Sequence, residues 1–114
     1  MPKPLVFATS APAAVLDAGR ELGRRVRLAR VRRRIALREL ASRAGVSYDT
    51  ARAVEAGNLA TGLGAYLALI WALGLEREFA HLLDPDSDIE GKQLELARTP
   101  KRARGKKGNF DADF

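Results

Sequence analysis

The stretch that decides the fold of this chain is IALRELASRAGVSYDTARAVEAG, residues 35–57. It predicts two short helices joined by a turn at Gly45, with a basic helix directly upstream. Glycine suits the turn because it adopts backbone conformations that other residues avoid. Ser47 stands just before the second helix, where its side chain is expected to accept a hydrogen bond from a backbone N–H near Thr50. The pattern is typical of a helix-turn-helix.

Helices are also predicted on both sides of this motif. Upstream, apolar residues at helical spacing predict a helix that begins near Pro12 or Val15 and runs to about Arg33. Downstream, AYLALIWAL at residues 65–73 predicts a strongly apolar helix ended by Gly74, and residues 76–83 predict a last short one. The fold class is therefore all-α. We expect an N-terminal arm over residues 1–14, a five-helix domain over 15–84, and a flexible, charged tail over 85–114.

The charges of the chain are segregated along the sequence. Twenty basic residues and fourteen acidic ones give a net charge of +6. Residues 20–38 hold nine arginines and one glutamate, and residues 98–107 hold six basic residues and no acid. Residues 76–90, between them, hold six acids and one arginine. Two basic segments favour nucleic-acid binding, because they neutralise phosphates and release counterions.

Several classes of protein are disfavoured by the composition. The chain has no cysteine and a single histidine, His81, so we expect no disulfide, metal site or other cofactor. No acid–base pair or nucleophile suggests an enzyme. No apolar run reaches the roughly 18 residues that span a bilayer, and the N-terminus lacks the features of a secretory signal. The expected location is the cytoplasm, on the nucleoid when bound to DNA.

Residues 35–57 resemble the lambda-repressor-like, or XRE-type, DNA-binding domains. The family pattern, L-A-x-x-x-G-V-S with an apolar-Glu-x-Gly ending, is matched in register by Leu40-Ala41, Gly45-Val46-Ser47 and Val54-Glu55-Ala56-Gly57. The likeness covers roughly residues 20–83. It implies that the second motif helix enters the major groove of operator DNA. It also implies a salt bridge between Arg30 and Glu55.

The chain departs from the family pattern at three positions. Leu37 stands where the family usually has a glutamine that contacts a phosphate, so Arg38 is expected to take over that contact. Arg34 stands where a glycine often ends the first helix, and is expected to adopt a left-handed or otherwise adjusted conformation. Ala51 replaces a larger apolar residue, and we expect a neighbour such as Tyr66 or Leu69 to fill the space.

The residues that match the DNA-facing positions of the family are Ser47, Tyr48, Asp49, Thr50 and Arg52. Arg52 is the best candidate to read a base, because its guanidinium can pair with guanine O6 and N7. Asp49 either accepts from cytosine N4 or simply favours the positive N-terminus of its helix. Ser47 and Tyr48 are expected to contact phosphates.

Two further surfaces are predicted to bind partners. Leu67, Ala68 and Trp71 are apolar where the family carries polar side chains, which favours a subunit or partner interface. Alternatively, Trp71 packs under the C-terminal helix or the N-terminal arm. In the tail, phosphate contacts are expected from Lys101, Arg102, Arg104, Lys106 and Lys107. Phe110 and Phe114 either anchor the tail in a partner's groove or belong to an inert tail.

The arginine-rich first helix, the apolar segment GLGAYLALIWALGL and the basic tail ending in phenylalanine together resemble the HipB-type antitoxins. Those proteins are encoded beside HipA-like kinase toxins. The resemblance implies a homodimer that represses its own operon and holds the kinase inactive. The alternatives are a stand-alone repressor of the same fold and a protein that binds nucleic acid without reading its sequence.

Overall fold

The computed structural model describes residues 10–98, and this part of the chain is helical with no strand. Its five α-helices are α1 (Ala13–Arg32), α2 (Leu37–Ala44), α3 (Tyr48–Glu55), α4 (Leu63–Ala72) and α5 (Ile89–Arg98). Short 3-10 segments lie at Leu59–Thr61, Glu76–His81 and Pro85–Ser87. The predicted all-α class is confirmed. No helix in residues 10–98 is both long enough and apolar enough to cross a membrane.

Helices α2 and α3 are joined by the tight turn that the sequence predicted. Gly45 has φ 76°, in the left-handed region. The N–H of Val46 donates to the carbonyl oxygen of Ala41 at 3.0 Å, which closes the end of α2. The side chain of Ser47 then accepts from the backbone N–H of Thr50 at 3.0 Å. A permissive residue and, shortly after it, a capping residue thus end one helix and begin the next.

The core lies within the first of two compact units, which covers residues 10–79 of the described chain; the second covers residues 80–98. Nine apolar residues are buried and packed together: Val26, Leu40, Ala41, Ala51, Val54, Tyr66, Leu69, Ile70 and Leu73. Ala51 shares this cluster with Tyr66 and Leu69, the two side chains expected to compensate for its small size. The hydroxyl of Tyr66 is buried without a hydrogen-bond partner in residues 10–98.

Helix α1 meets the end of α3 at backbone distance. A methyl group on Gly23 would lie 2.4 Å from the carbonyl oxygen of Val54 and 2.7 Å from the backbone nitrogen of Gly57. A methyl group on Gly57, which has φ 81°, would lie 2.5 Å from the Cα of Arg20. Glycine is required here because the two backbones leave no room for a side chain. This contact sets the position of α3 against α1.

Three predicted elements differ from the structure. Helix α4 begins at Leu63, two residues before the predicted start, and residues 76–81 form a 3-10 segment rather than an α-helix. Helix α5, in the second unit, occupies part of the predicted tail. Its sequence IEGKQLELAR is rich in good helix formers, and Asp88 accepts from the N–H of Gly91 at 2.9 Å. The low apolar content of Ile89–Arg98 led to the prediction of a flexible tail there, whereas the structure has a helix.

Candidate nucleic-acid interface

Helix α3 buries one face and exposes the other. Ala51 and Val54 belong to the core, whereas Tyr48, Asp49 and Arg52 are exposed. The buried pair holds the helix by its inner side, so the three polar side chains share the solvent face. These are three of the five residues that the sequence proposed to face DNA. No carboxylate in residues 10–98 forms an ion pair with Arg52, whose guanidinium is therefore available to a ligand.

Ser47 and Thr50, the other two proposed contacts, are engaged with each other. The hydroxyl of Ser47 donates to the hydroxyl oxygen of Thr50 at 2.9 Å while its oxygen caps α3. Thr50 is half-buried, and Ser47 is exposed. These hydrogen bonds give both residues a structural role at the start of α3. Because the single O–H of Ser47 is donated to Thr50, a phosphate contact by this hydroxyl requires that hydrogen bond to break.

Arg38, at the start of α2, stacks on Tyr48, at the start of α3. The guanidinium carbon of Arg38 lies 4.3 Å from the centre of the Tyr48 ring. This is a cation–π contact, worth about 0.5–1 kcal/mol at an exposed site. Leu37, the preceding residue, is half-buried against the core and offers a ligand no polar group. Arg38 instead places an exposed cation beside it, held against the solvent face of α3. The contact between Arg38 and Tyr48 was not predicted from the sequence.

The structure contains the salt bridge predicted between Arg30 and Glu55. Two guanidinium nitrogens of Arg30 donate to the carboxylate of Glu55 at 2.7 and 3.1 Å, and a third donates to the carbonyl oxygen of Ile35 at 2.8 Å. The side chains are only 13% and 8% exposed. Its hydrogen bond to Glu55 raises the pKa of Arg30. The pair links α1, the turn before α2 and the last residue of α3, and so fixes the direction of α3.

The arginines of α1 fall into two groups. Near the start of the helix, Arg20 pairs with Asp17 at 2.9 Å, and Arg24 and Arg25 both pair with Glu21 at 2.7 and 2.8 Å. These hydrogen bonds lower the pKa of Glu21 to about 2. All nine arginines were counted from the sequence as equivalent positive charges. The three- and four-residue spacings to Asp17 and Glu21 were the signal that predicts these ion pairs.

The second group lies toward the end of α1 and beyond it. No carboxylate in the described range forms an ion pair with Arg27, Arg32, Arg33, Arg34 or Arg38. The positive charge that remains uncompensated is therefore concentrated at the junction between α1 and α2. Arg38, within this group, reaches the first residue of α3. A polyanion that contacts the solvent face of α3 at Tyr48 therefore meets Arg38.

The apolar surface predicted on α4 is exposed. Trp71 is 59% exposed and Leu63 is 61% exposed, and half-buried Leu67 lies between them on the same side of the helix. Ala68 is also half-buried. The alternative, that Trp71 packs under the N-terminal arm, concerns residues outside the described range. The predicted contacts at Lys101, Arg102, Arg104, Lys106, Lys107, Phe110 and Phe114 lie outside those residues.

No group of histidine and acidic side chains between residues 10 and 98 is arranged to hold a metal ion. His81 is exposed. Comparisons of the chain with protein-family profiles, curated proteins and solved structures find no significant match. What the chain does is therefore inferred from its own residues.

Proposed function

We propose that this chain is a sequence-specific DNA-binding repressor with a lambda-repressor-like helix-turn-helix, in which α3 enters the major groove. The observation that carries the proposal is the solvent face of α3. It presents unpaired Arg52 beside the Arg38–Tyr48 stack, next to the junction where the uncompensated arginines gather. Base-reading and phosphate-binding groups on one surface are what a major-groove helix needs.

In this mechanism Arg52 and Arg38 have different roles. Arg52 reads a guanine through two hydrogen bonds to O6 and N7, worth about 1–3 kcal/mol of discrimination. Arg38, held over Tyr48, contacts a phosphate and positions the helix in the groove. The Arg30–Glu55 pair and the backbone contact at Gly23 keep α3 in place. Preorganisation of this kind lowers the cost of binding, because fewer groups must be ordered.

The test begins with selection of binding sites from random duplex DNA by the full chain. Arg52→Ala is then compared with Arg25→Ala, which removes an arginine that is already paired on α1. We expect Arg52→Ala to lose about 1–3 kcal/mol on the selected site and to relax preference at one base pair of each half-site. Arg25→Ala should bind nearly as the wild type does. Wild-type protein that selects no sequence would favour the alternative, a nonspecific nucleic-acid-binding protein.

We also propose that the chain binds DNA as a homodimer through Leu67, Ala68 and Trp71. Two copies of α3 then meet successive major grooves about 34 Å apart. Trp71 is the expected centre of the contact, since buried tryptophan is a frequent hot spot. Trp71→Ala should shift sedimentation toward monomer and weaken operator binding together, whereas Val15→Ala, at another exposed apolar position, should do neither. A dimer unaffected by Trp71→Ala contradicts this interface.

An antitoxin role is proposed as the biological setting, with a HipA-like kinase as the second partner. It is supported by the apolar surface of α4 and by the aromatic residues Phe110 and Phe114 of the sequence. The test is co-purification of the full chain, and of a chain lacking residues 109–114, with the product of the neighbouring gene. The truncated chain should lose the partner and keep DNA binding. The absence of a neighbouring kinase gene would favour a stand-alone repressor.

A further inference from the structure

Arg34 has a backbone conformation that its residue type disfavours. Its φ is 55°, in the left-handed region, and its N–H donates to the carbonyl oxygen of Val31 at 2.9 Å. A side chain in this region crowds the following carbonyl oxygen, whereas glycine adopts it freely. At the comparable turn after α2 the chain does use glycine, Gly45. The backbone at the turn after α1 therefore favours glycine over the arginine that stands there.

No contact of the Arg34 side chain within the described part of the fold offsets this strain. The side chain of Arg34 is exposed, and neither a hydrogen bond nor an ion pair joins it to any residue between 10 and 98. Positive charge near the end of a helix is favourable, but Arg32 and Arg33 already supply it to α1. Arg33 in addition donates to the carbonyl oxygen of Ala29 at 3.0 Å. A strained backbone at a residue whose side chain makes no internal contact is typical of binding sites.

The position of Arg34 points to the ligand. Arg34 stands four positions before Arg38 in the sequence, so the two Cα atoms lie within about 14 Å of each other. Arg38 is stacked on the first residue of α3. A DNA strand in contact with Arg38 presents its phosphates at intervals of about 3.4 Å along the helix axis, so a neighbouring phosphate falls within reach of Arg34. The planar fork of an arginine matches two phosphate oxygens.

We propose that Arg34 is a DNA-phosphate contact, which together with Arg38 forms a two-arginine anchor at the turn between α1 and α2. The proposal rests on the proposed function, since it takes double-stranded DNA as the ligand of this surface. It adds a residue that the family resemblance did not supply, because the family often has glycine there. It also explains why the chain tolerates a strained turn: the side chain is used on the ligand.

The experiment separates strain from charge with three variants of Arg34. Arg34→Gly removes both, Arg34→Gln removes only the charge, and Arg34→Lys keeps the charge. Arg77→Gln, in the acidic segment before the second unit, is the control for reduced net charge. Thermal unfolding is measured for each, and binding to a duplex of about three helical turns, with the selected site or a random sequence, is measured between about 50 and 200 mM salt.

We expect Arg34→Gly to unfold at a higher temperature than the wild type and yet to bind more weakly. In the proposed homodimer the substitution removes one phosphate contact from each copy, so the slope of log K against log salt becomes less steep by about 1.8. Over this fourfold change in salt, that difference makes the loss of affinity about 12-fold larger at the low-salt end than at the high-salt end. Arg34→Gln should show the same change of slope without the gain in stability. Arg34→Lys and Arg77→Gln should keep the wild-type slope.

Two outcomes overturn the proposal. One is a wild-type slope for both Arg34→Gly and Arg34→Gln. The other is an equal loss for Arg77→Gln, which would assign the effect to net charge. Failure of the proposed function gives a different result. Wild-type protein would show no preference for any sequence, while Arg34→Gly and Arg34→Gln would still make the salt dependence of binding to random DNA less steep. In that case the phosphate contact stands and base reading does not.

Discussion

Gly23→Ala is the substitution for which the structure makes the sharpest prediction. An alanine methyl group would lie 2.4 Å from the carbonyl oxygen of Val54, 2.7 Å from the nitrogen of Gly57 and 2.8 Å from the carbonyl oxygen of Glu55. Ordinary contact begins at 3.4 Å, so α3 must move by about 1 Å relative to α1. All three atoms are backbone, and none can rotate away as the end of a flexible side chain would.

The magnitude follows from two opposing effects. Overpacking costs about 1–3 kcal/mol, and contact with three backbone atoms places this site at the upper end of that range. Alanine is better than glycine inside a helix by about 1 kcal/mol. The net expectation is a loss of about 2 kcal/mol, which corresponds to a fall in Tm of roughly 8–16 °C for a domain of this size.

The chain contains a matched control. Gly64, in the first turn of α4, has nothing within 4 Å of the position that a methyl group would take. Gly64→Ala should therefore raise stability by about 0.5 kcal/mol, because alanine loses less backbone freedom on folding. Both variants are measured by chemical denaturation and calorimetry. If Gly23→Ala proves as stable as the wild type, the close packing of α1 on the end of α3 is refuted.

Three other predictions concern single side chains. Glu55→Ala should lower the free energy of unfolding by about 3 kcal/mol, since it leaves the guanidinium of Arg30 largely buried and unpaired. A double-mutant cycle with Arg30→Ala should show that the two losses are not additive. Tyr66→Phe should leave the free energy of unfolding unchanged or raise it by up to about 1 kcal/mol, because the buried hydroxyl has no partner in the described residues. Burial also raises the pKa of Tyr66. A clear loss of stability in chemical denaturation would reveal a hydrogen bond at this hydroxyl. Glu21 has a pKa lowered from 4.5 to about 2 in the folded chain, so its contribution to stability is present above pH 4.5 and lost as the pH falls toward 2. The difference in Tm between wild type and Glu21→Gln should disappear over that interval, and a difference that persists at the acid end would mean that the ion pairs with arginine are not its source.

Local features of this protein were readable from the sequence because neighbours along the chain determine them. The turn at Gly45 needs a residue that tolerates φ 76°, and the cap at Ser47 needs only an N–H three residues ahead. The same local rules predict the pairs that Glu21 makes with Arg24 and Arg25, which a count of charges overlooks, and the cap that Asp88 provides to α5.

Contacts between distant residues were decided by the tertiary structure. The Arg30–Glu55 pair was anticipated only through the family resemblance, since its partners are 25 positions apart in sequence. The stack of Arg38 on Tyr48 depends on the angle between α2 and α3, which helical spacing does not specify. Gly23 reads in sequence as a weak point in a helix. It becomes a requirement only when the end of α3 is brought against it, because the distance between two backbones is a property of packing and not of either segment alone.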